Sequence, residues 1–326
     1  MTLKELNQRS PQHSMDVGSD LSYRHDNRWT NILPFDHSRV KLAVISGDES
    51  CCQDYINANY ISGLDSSRDY IATQGPLTRT VSDFWRMVWE QNVSVIVMLA
   101  DFEELDKRTQ IIREKVARYF PGDEETGPSQ YGLIQVSRTR KDYNHKWEIR
   151  TLKLTHTRAR KVRILKHFFF KNWSDHEADI DKQELVDFVE LLRAEMKSLP
   201  KAPMVVHCSA GVGRTGTFIA VDYFYKLLSS MRPRSQTPGL GEAANKTVDI
   251  FGRVLKLRDC RRFMVQSLSQ YVFVYDAVLE ILRRLFQLQQ SKGLDICDQE
   301  GHQSLDILSC QGSLEDTVYD DVAVLK

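Results

Sequence analysis

The chain has 326 residues, enough for one large domain or two ordinary ones, and its 41% hydrophobic and 10% aromatic content can fill a sizeable core. Lysine and arginine number 44 and are matched by 44 acids, so bulk charge points to neither nucleic acid nor a membrane surface as a partner. Six cysteines, at 51, 52, 208, 260, 297 and 310, form no C-x-x-C pair, which fits a reduced, cytosolic chain better than a zinc site or a disulfide scaffold. The N-terminus has no apolar signal region and no run approaches about 18 apolar residues, so a soluble intracellular chain without a membrane segment is expected.

Residues 1–26 read as a polar, partly disordered segment in which only Leu3 and Leu6 hint at a helical turn. Ordered structure is expected from 27 onward. Segments 54–61 and 69–73 are rich in β-formers and read as strands. Segment 81–91, V-S-D-F-W-R-M-V-W-E-Q, has helical spacing that puts Phe84, Trp85, Val88 and Trp89 on a core-facing side. A buried strand follows at 93–99, then further strands including 131–138, 146–155 and 161–170. An amphipathic helix spans 181–199, a short buried strand 204–207, and a helix 216–230. The run R-P-R-S-Q-T-P-G-L-G at 232–241 breaks helix, and helices at 249–258 and 268–287 close the unit. The tail 288–326 carries eight acids against two lysines and reads as disordered. The expected fold is a single α/β (α+β) domain at 27–287, a twisted mixed sheet flanked by helices, with two tails.

The stretch V-V-H-C-S-A-G-V-G-R-T-G-T-F at 205–218 admits two readings. Gly211, Gly213 and Gly216 complete a G-x-G-x-x-G. A dinucleotide site would also need an acid about 20 residues on, at the end of the next strand. Asp222 instead lies inside the following helix, and no G-K-[ST] supports an NTP loop. The other reading makes Cys208 a nucleophile. A loop whose amides converge before opening a helix favours an anion, and those dipoles together with Arg214 would lower the thiol below its free pKa of about 8.5. The arginine fork grips phosphoryl oxygens, and Thr215 offers a hydroxyl to the sulfur.

With that loop the sequence resembles the protein tyrosine phosphatases, closest to receptor-type catalytic domains. The segment H-C-S-A-G-V-G-R-T-G matches the family signature, and N-R-W-T-N-I-L-P-F-D, D-Y-I-N-A-N-Y-I, I-A-T-Q-G-P-L, D-F-W-R-M-V-W-E-Q and M-V-Q-S-L-S-Q-Y-V-F-V-Y match further motifs in order, over roughly 27–287. The resemblance implies that Cys208 attacks phosphorus and forms a phosphocysteine, while Arg214 and the amides of Ser209, Ala210, Gly211, Val212 and Gly213 hold the oxygens. It implies Asp175, in N-W-S-D-H, as general acid and then base, with Gln266 and Gln270 at the attacking water. Trp29 stands where the family stacks a tyrosine on the substrate ring, beside Asn31 for the substrate backbone and Ile32 lining the slot. Glu104 matches the glutamate that braces the active-site arginine, and Arg258 and Arg261 match arginines supporting the phosphate loop. Neither a cofactor nor a metal is implied, and the substrates would be phosphotyrosine proteins.

The departures carry expectations of their own. Ser174 replaces the proline of the family's W-P-D loop, which loosens that loop and predicts slower turnover. Residues 105–114 and 233–244 look inserted. His207 either tunes the thiolate or simply packs. Tyr319, in E-D-T-V-Y-D-D-V, resembles tail tyrosines that, once phosphorylated, engage an SH2-type partner. The alternative to an active enzyme is a weakened or inactive relative that binds phosphotyrosine proteins.

Overall fold

The computed structural model describes residues 2–44, 53–106, 109–125, 127–174, 179–231 and 248–297, with side-chain surroundings as far as Leu288. Asp175, the second inserted segment and Tyr319 lie outside the described residues.

An eight-stranded mixed sheet forms the centre. Its strands are β1 (Ala58–Ile61), β2 (Tyr70–Thr73), β3 (Val95–Met98), β6 (Ser129–Tyr131), β7 (Ile134–Tyr143), β8 (Trp147–His156), β9 (Lys161–Phe170) and β10 (Met204–His207), in the order β1-β2-β10-β3-β9-β8-β7-β6. The four inner strands β2, β10, β3 and β9 run parallel, and β1, β8, β7 and β6 add on antiparallel. Strands β2, β3 and β10 are buried at every position, as covered parallel strands must be. Two further strands, β4 (Glu103–Asp106) and β5 (Ile111–Glu114), pair as a separate antiparallel hairpin.

Helices cover the sheet. Helix α3 (Val81–Glu90) buries Phe84, Trp85 and Val88 as its spacing predicts, and packs on β6 and β7. Helices α4 (Lys182–Met196), α5 (Gly213–Ser230) and α7 (Leu268–Cys297) pack on one another, and α5 also meets α6 (Ile250–Cys260), β2 and β10. The expected twisted mixed sheet flanked by helices is what the chain adopts.

Strand bounds shift, with β1 beginning at Ala58 rather than 54 and the expected strand 131–138 divided between β6 and β7, and three segments differ more deeply. The N-terminal segment holds α1 (Leu3–Arg9) and α2 (Asp16–Ser19), and Leu6 is fully buried. A Thr2–Glu5 capping box starts α1, and Arg258 Nη1 fixes its end through Asn7 Oδ1 at 2.7 Å and Ser10 Oγ at 3.0 Å. Two turns with one buried leucine are too short for a periodic signal, and the anchoring arginine is distant in sequence. The apparent insertion at 105–114 forms much of the β4–β5 hairpin. Helix α7 continues to Cys297, past the expected end at 287, because nothing in that stretch breaks a helix strongly.

Candidate active site

Ligands of sheets with parallel strands gather outside the strands' carboxyl ends, and the chemistry-bearing residues converge there. Cys208 follows β10 directly. Gly75, after β2, donates its amide to Ser209 O at 2.8 Å, and a Cβ at Gly75 would come within 2.7 Å of Cys208 O. Only glycine allows that approach. Gly211 has φ +72°, and a Cβ on it would lie 2.2 Å from Thr73 O, so this glycine is required twice over.

The loop's amides are aimed by a side chain outside it. Arg261, fully buried, donates Nη2 to Ala210 O at 3.0 Å and Nε to Gly211 O at 3.0 Å. A trans peptide points its carbonyl and N–H in opposite directions. Holding the Ala210 carbonyl therefore turns the Gly211 N–H inward, and it donates to Cys208 Sγ at 3.3 Å. Asn59 and Asn57 fix Arg261 in turn, accepting from Nη1 at 2.7 Å and from Nη2 at 2.8 Å. Helix α5 opens at Gly213, so its N-terminal dipole also faces the sulfur.

Arg214, fully buried, donates Nη1 to Glu104 Oε1 at 2.5 Å and to the Trp173 carbonyl at 2.6 Å. One guanidinium thus joins the Cys208 loop, the β4–β5 hairpin and the strand exit leading to position 175. Thr215 Oγ1 and Ser209 Oγ are buried without a hydrogen-bond partner among the described residues, as is Gln270 Nε2. Gln270 Oε1 accepts the amides of Gln266 at 3.1 Å and Ser267 at 3.3 Å. A Cβ built on Gly213 would sit 3.0 Å from the Gln270 amide and 3.4 Å from Gln266 Oε1, so both glutamines border the loop. Val265, just before them, has φ +58°, a strained conformation for a β-branched residue. Arg258 secures that turn through the carbonyls of Met264 at 2.9 Å and Val265 at 2.8 Å.

A family model described as protein-tyrosine phosphatase matches residues 23–280. The chain belongs to the protein tyrosine phosphatase family. It is 39% identical over 282 residues to receptor-type tyrosine-protein phosphatase eta of Mus musculus, covering 86% of this chain and 20% of that protein. It is 39% identical over 275 residues to receptor-type tyrosine-protein phosphatase F of Rattus norvegicus, covering 82% of this chain and 13% of that one. The chain therefore spans about a fifth or less of the length of these curated relatives. A solved structure, from work on the structural basis of the PTPN18 fingerprint on distinct HER2 tyrosine phosphorylation sites, superimposes with a TM-score of 0.70 at 34% identity, covering 82% of this chain and 87% of that one. Among the described residues no helix is long and apolar enough to cross a membrane.

Within this phosphatase fold the residues singled out by sequence gather as follows. Cys208, Ser209, Ala210, Gly211, Val212, Gly213, Arg214 and Thr215 form one cradle, bordered by Gln266 and Gln270. Trp29 is 39% exposed, Asn31 is exposed and Ile32 is buried. The segment carrying them is tied to the cradle by Arg28, whose amide donates to Gln74 Oε1 at 2.9 Å and whose Nε donates to Gly75 O at 3.1 Å. Arg261 bonds the loop directly, whereas Arg258 reaches it only through the Met264–Val265 turn. Ser174, in place of proline, uses the amide that proline lacks: it donates to Asp179 Oδ1 at 3.2 Å.

Sequence reasoning missed Arg28, Asn57, Asn59, Gly75, Tyr119 and His167. Tyr119 Oη lies 2.8 Å from His207 Nε2 and 2.6 Å from His167 Nε2, all fully buried. Burial pulls His207 down to about 4, helped by the charges of Arg28 and Arg214, and drives His167 well below the usual imidazole value. His207 is therefore neutral at pH 7, with Nδ1 3.2 Å from the Cys208 carbonyl. The asparagines stood in the quoted D-Y-I-N-A-N-Y-I, but nothing local marks them as partners of an arginine some 200 positions away.

Proposed function

We propose that this chain hydrolyses phosphotyrosine in proteins through a phosphocysteine intermediate. The observation that carries the reading is the Gly211 amide held on Cys208 Sγ by Arg261, beside the buried guanidinium of Arg214. Such a cup of inward amides beside a guanidinium suits an anion, and it can hold the phosphoryl oxygens while the sulfur attacks phosphorus. Sulfur forms a bond to phosphorus as the aryl C–O–P linkage breaks at phosphorus, and Asp175 gives its proton to the departing tyrosyl oxygen. Asp175 then removes a proton from a water placed by Gln266 and Gln270. That oxygen attacks phosphorus, the P–S bond breaks, and inorganic phosphate leaves with the thiolate restored. Thr215 donates to the sulfur as it departs. Glu104 accepts from both Nη atoms of Arg214, at 2.5 and 3.4 Å, and so holds the fork that grips the phosphoryl oxygens. Trp29 stacks on the substrate ring over Ile32, and Asn31 bonds the substrate backbone.

The reaction needs neither a metal nor a cofactor, and its dependence on a reduced Cys208 supports a cytoplasmic setting for this reading. A catalytic unit from 27 to 287 and an acidic tail from 288 to 326 belong to the same reading, the first ten tail residues extending α7 to Cys297, with phosphorylated Tyr319 as a docking point for an SH2-type partner.

Turnover is slower than in a relative with W-P-D, since Ser174 lacks proline's fixed φ. The same serine supports the second reading, a relative that binds phosphotyrosine proteins without efficient release. Hydrolysis of a phosphotyrosyl peptide by wild type, Cys208→Ser and Asp175→Ala separates them. Turnover is expected for wild type, none for Cys208→Ser, and a large loss for Asp175→Ala. A wild-type rate no higher than that of Cys208→Ser leaves only the binding role.

A further inference from the structure

We infer that the outward face of the β4–β5 hairpin docks the substrate segment flanking the phosphotyrosine and selects a basic and an apolar side chain there. The inference rests on the phosphatase reading above. Opposed residues in an antiparallel pair share a face, and faces alternate along the strand. Glu104 and Arg113 thus lie on one face, while Glu103–Glu114 and Leu105–Ile112 lie on the other. The first face turns inward, because Glu104 reaches Arg214.

The second face turns toward the segment that carries Trp29. Arg28 Nη2 donates to Glu114 Oε1 at 3.2 Å, and its Nη1 donates to the Glu114 carbonyl at 3.1 Å. Leu105 and Ile112 are 53% and 66% exposed, an apolar cross-strand pair that nothing in a two-stranded sheet covers. Charge specifies the occupant. Glu103 directly opposes Glu114, an arrangement that costs stability in a sheet. Arg28 satisfies one oxygen of Glu114, and exposed Glu103 has no side-chain partner among the described residues. A basic side chain settling on this pair would relieve the repulsion.

The order of the two subsites follows from the register. The acid pair adjoins Arg28, and the apolar pair lies two residues further along the strands. An extended peptide leaving the site past Trp29 meets the carboxylates first and the apolar pair about 7 Å beyond, the span of two residues. A substrate with a basic residue near the phosphotyrosine and Leu, Ile or Val two positions further out matches both.

Steady-state kinetics test this with p-nitrophenyl phosphate and three phosphotyrosyl peptides: one with the arginine–leucine pattern, one with serine at both positions, one with glutamate and serine. The pattern is placed on either side of the phosphotyrosine. Wild type is expected to prefer the arginine–leucine peptide. Leu105→Ser/Ile112→Ser should lower kcat/KM on that peptide about tenfold while p-nitrophenyl phosphate stays within about twofold. Glu103→Lys should shift the preference toward the glutamate peptide. Equal wild-type kcat/KM on the three peptides overturns the inference. So does a parallel loss on p-nitrophenyl phosphate, which would make the hairpin a support for Arg214 alone. Sedimentation tells a third case apart: self-association abolished by the double variant, with peptide preference unchanged, would make this face a contact between copies and sink the inference. If wild type turns over none of the substrates, the phosphatase reading fails. Fluorescence anisotropy of the labelled peptides then decides the hairpin's role by whether Kd follows the same order.

Discussion

Arg261 holds the carbonyl of Ala210, and by doing so sets the direction of the Gly211 amide that meets the Cys208 sulfur. The loop's anion-binding shape is thus imposed from α6's far end by one guanidinium with four acceptors: Gly211 O, Asn59 Oδ1, Asn57 Oδ1 and Ala210 O. A lysine has a single ammonium and cannot span them. Arg261→Lys is expected to lower kcat on p-nitrophenyl phosphate about 100-fold and to cost on the order of 3 kcal/mol in urea unfolding. Activity within about threefold of wild type would show that the loop keeps its shape unaided.

Gly211 and Gly127 form an internal control. At Gly211 an alanine would meet both a positive φ and the Thr73 carbonyl, whereas nothing lies within 4 Å of a Cβ at Gly127. Gly211→Ala should abolish phosphatase activity and lower Tm; Gly127→Ala should change neither. Full activity in Gly211→Ala would refute the tight packing of the cradle on β2.

Ser174 sets two effects against each other. Proline there would restrict φ, worth about 0.4–1 kcal/mol, but would remove the donor to Asp179, worth about 0.5–1.5 kcal/mol. In an Asp179→Ala background the donor has already lost its acceptor. Ser174→Pro should therefore raise kcat more in that background than in wild type. A double-mutant cycle measures the difference, and strict additivity would mean the bond does not influence turnover.

The two buried histidines tie stability to pH. His207 takes up its proton near pH 6.5 when unfolded but only near 4 when folded, and His167 shifts the same way. The unfolded chain binds more protons between those values, so stability is intact above about pH 6.5 and declines as pH falls toward 4. His207 alone should account for ~2 kcal/mol between pH 7 and pH 5. Urea unfolding at the two values checks this. A pH-independent contribution in a His207→Asn comparison would show the ring to be hydrated in the folded state.

Sequence reasoning reached the element types at the centre of the fold almost residue for residue. Strands β9 and β10 and helix α3 carry their burial in their own composition. The proposed nucleophile and its loop stood out for a related reason: Cys208, three glycines and Arg214 lie within nine positions, and a cradle of consecutive amides has to be written consecutively. The glutamines before and at the start of α7 were legible only through the family's pattern.

What aims those groups is another matter. Arg261 on Ala210, Arg28 on Gly75 and Glu114, Tyr119 between two histidines, and Arg258 on α1 join residues remote in the chain, and none leaves a local periodicity. The sequence by itself determined the strands and helices of the mixed sheet and the glycine-rich loop around Cys208, because backbone propensity and short-range spacing encode them. Only the tertiary structure decided which way the amides point, which face of the β4–β5 hairpin is open, and that Ser174 spends its amide on Asp179. A hydrogen bond's direction depends on where its two partners meet in space, and that meeting exists only once the chain has folded.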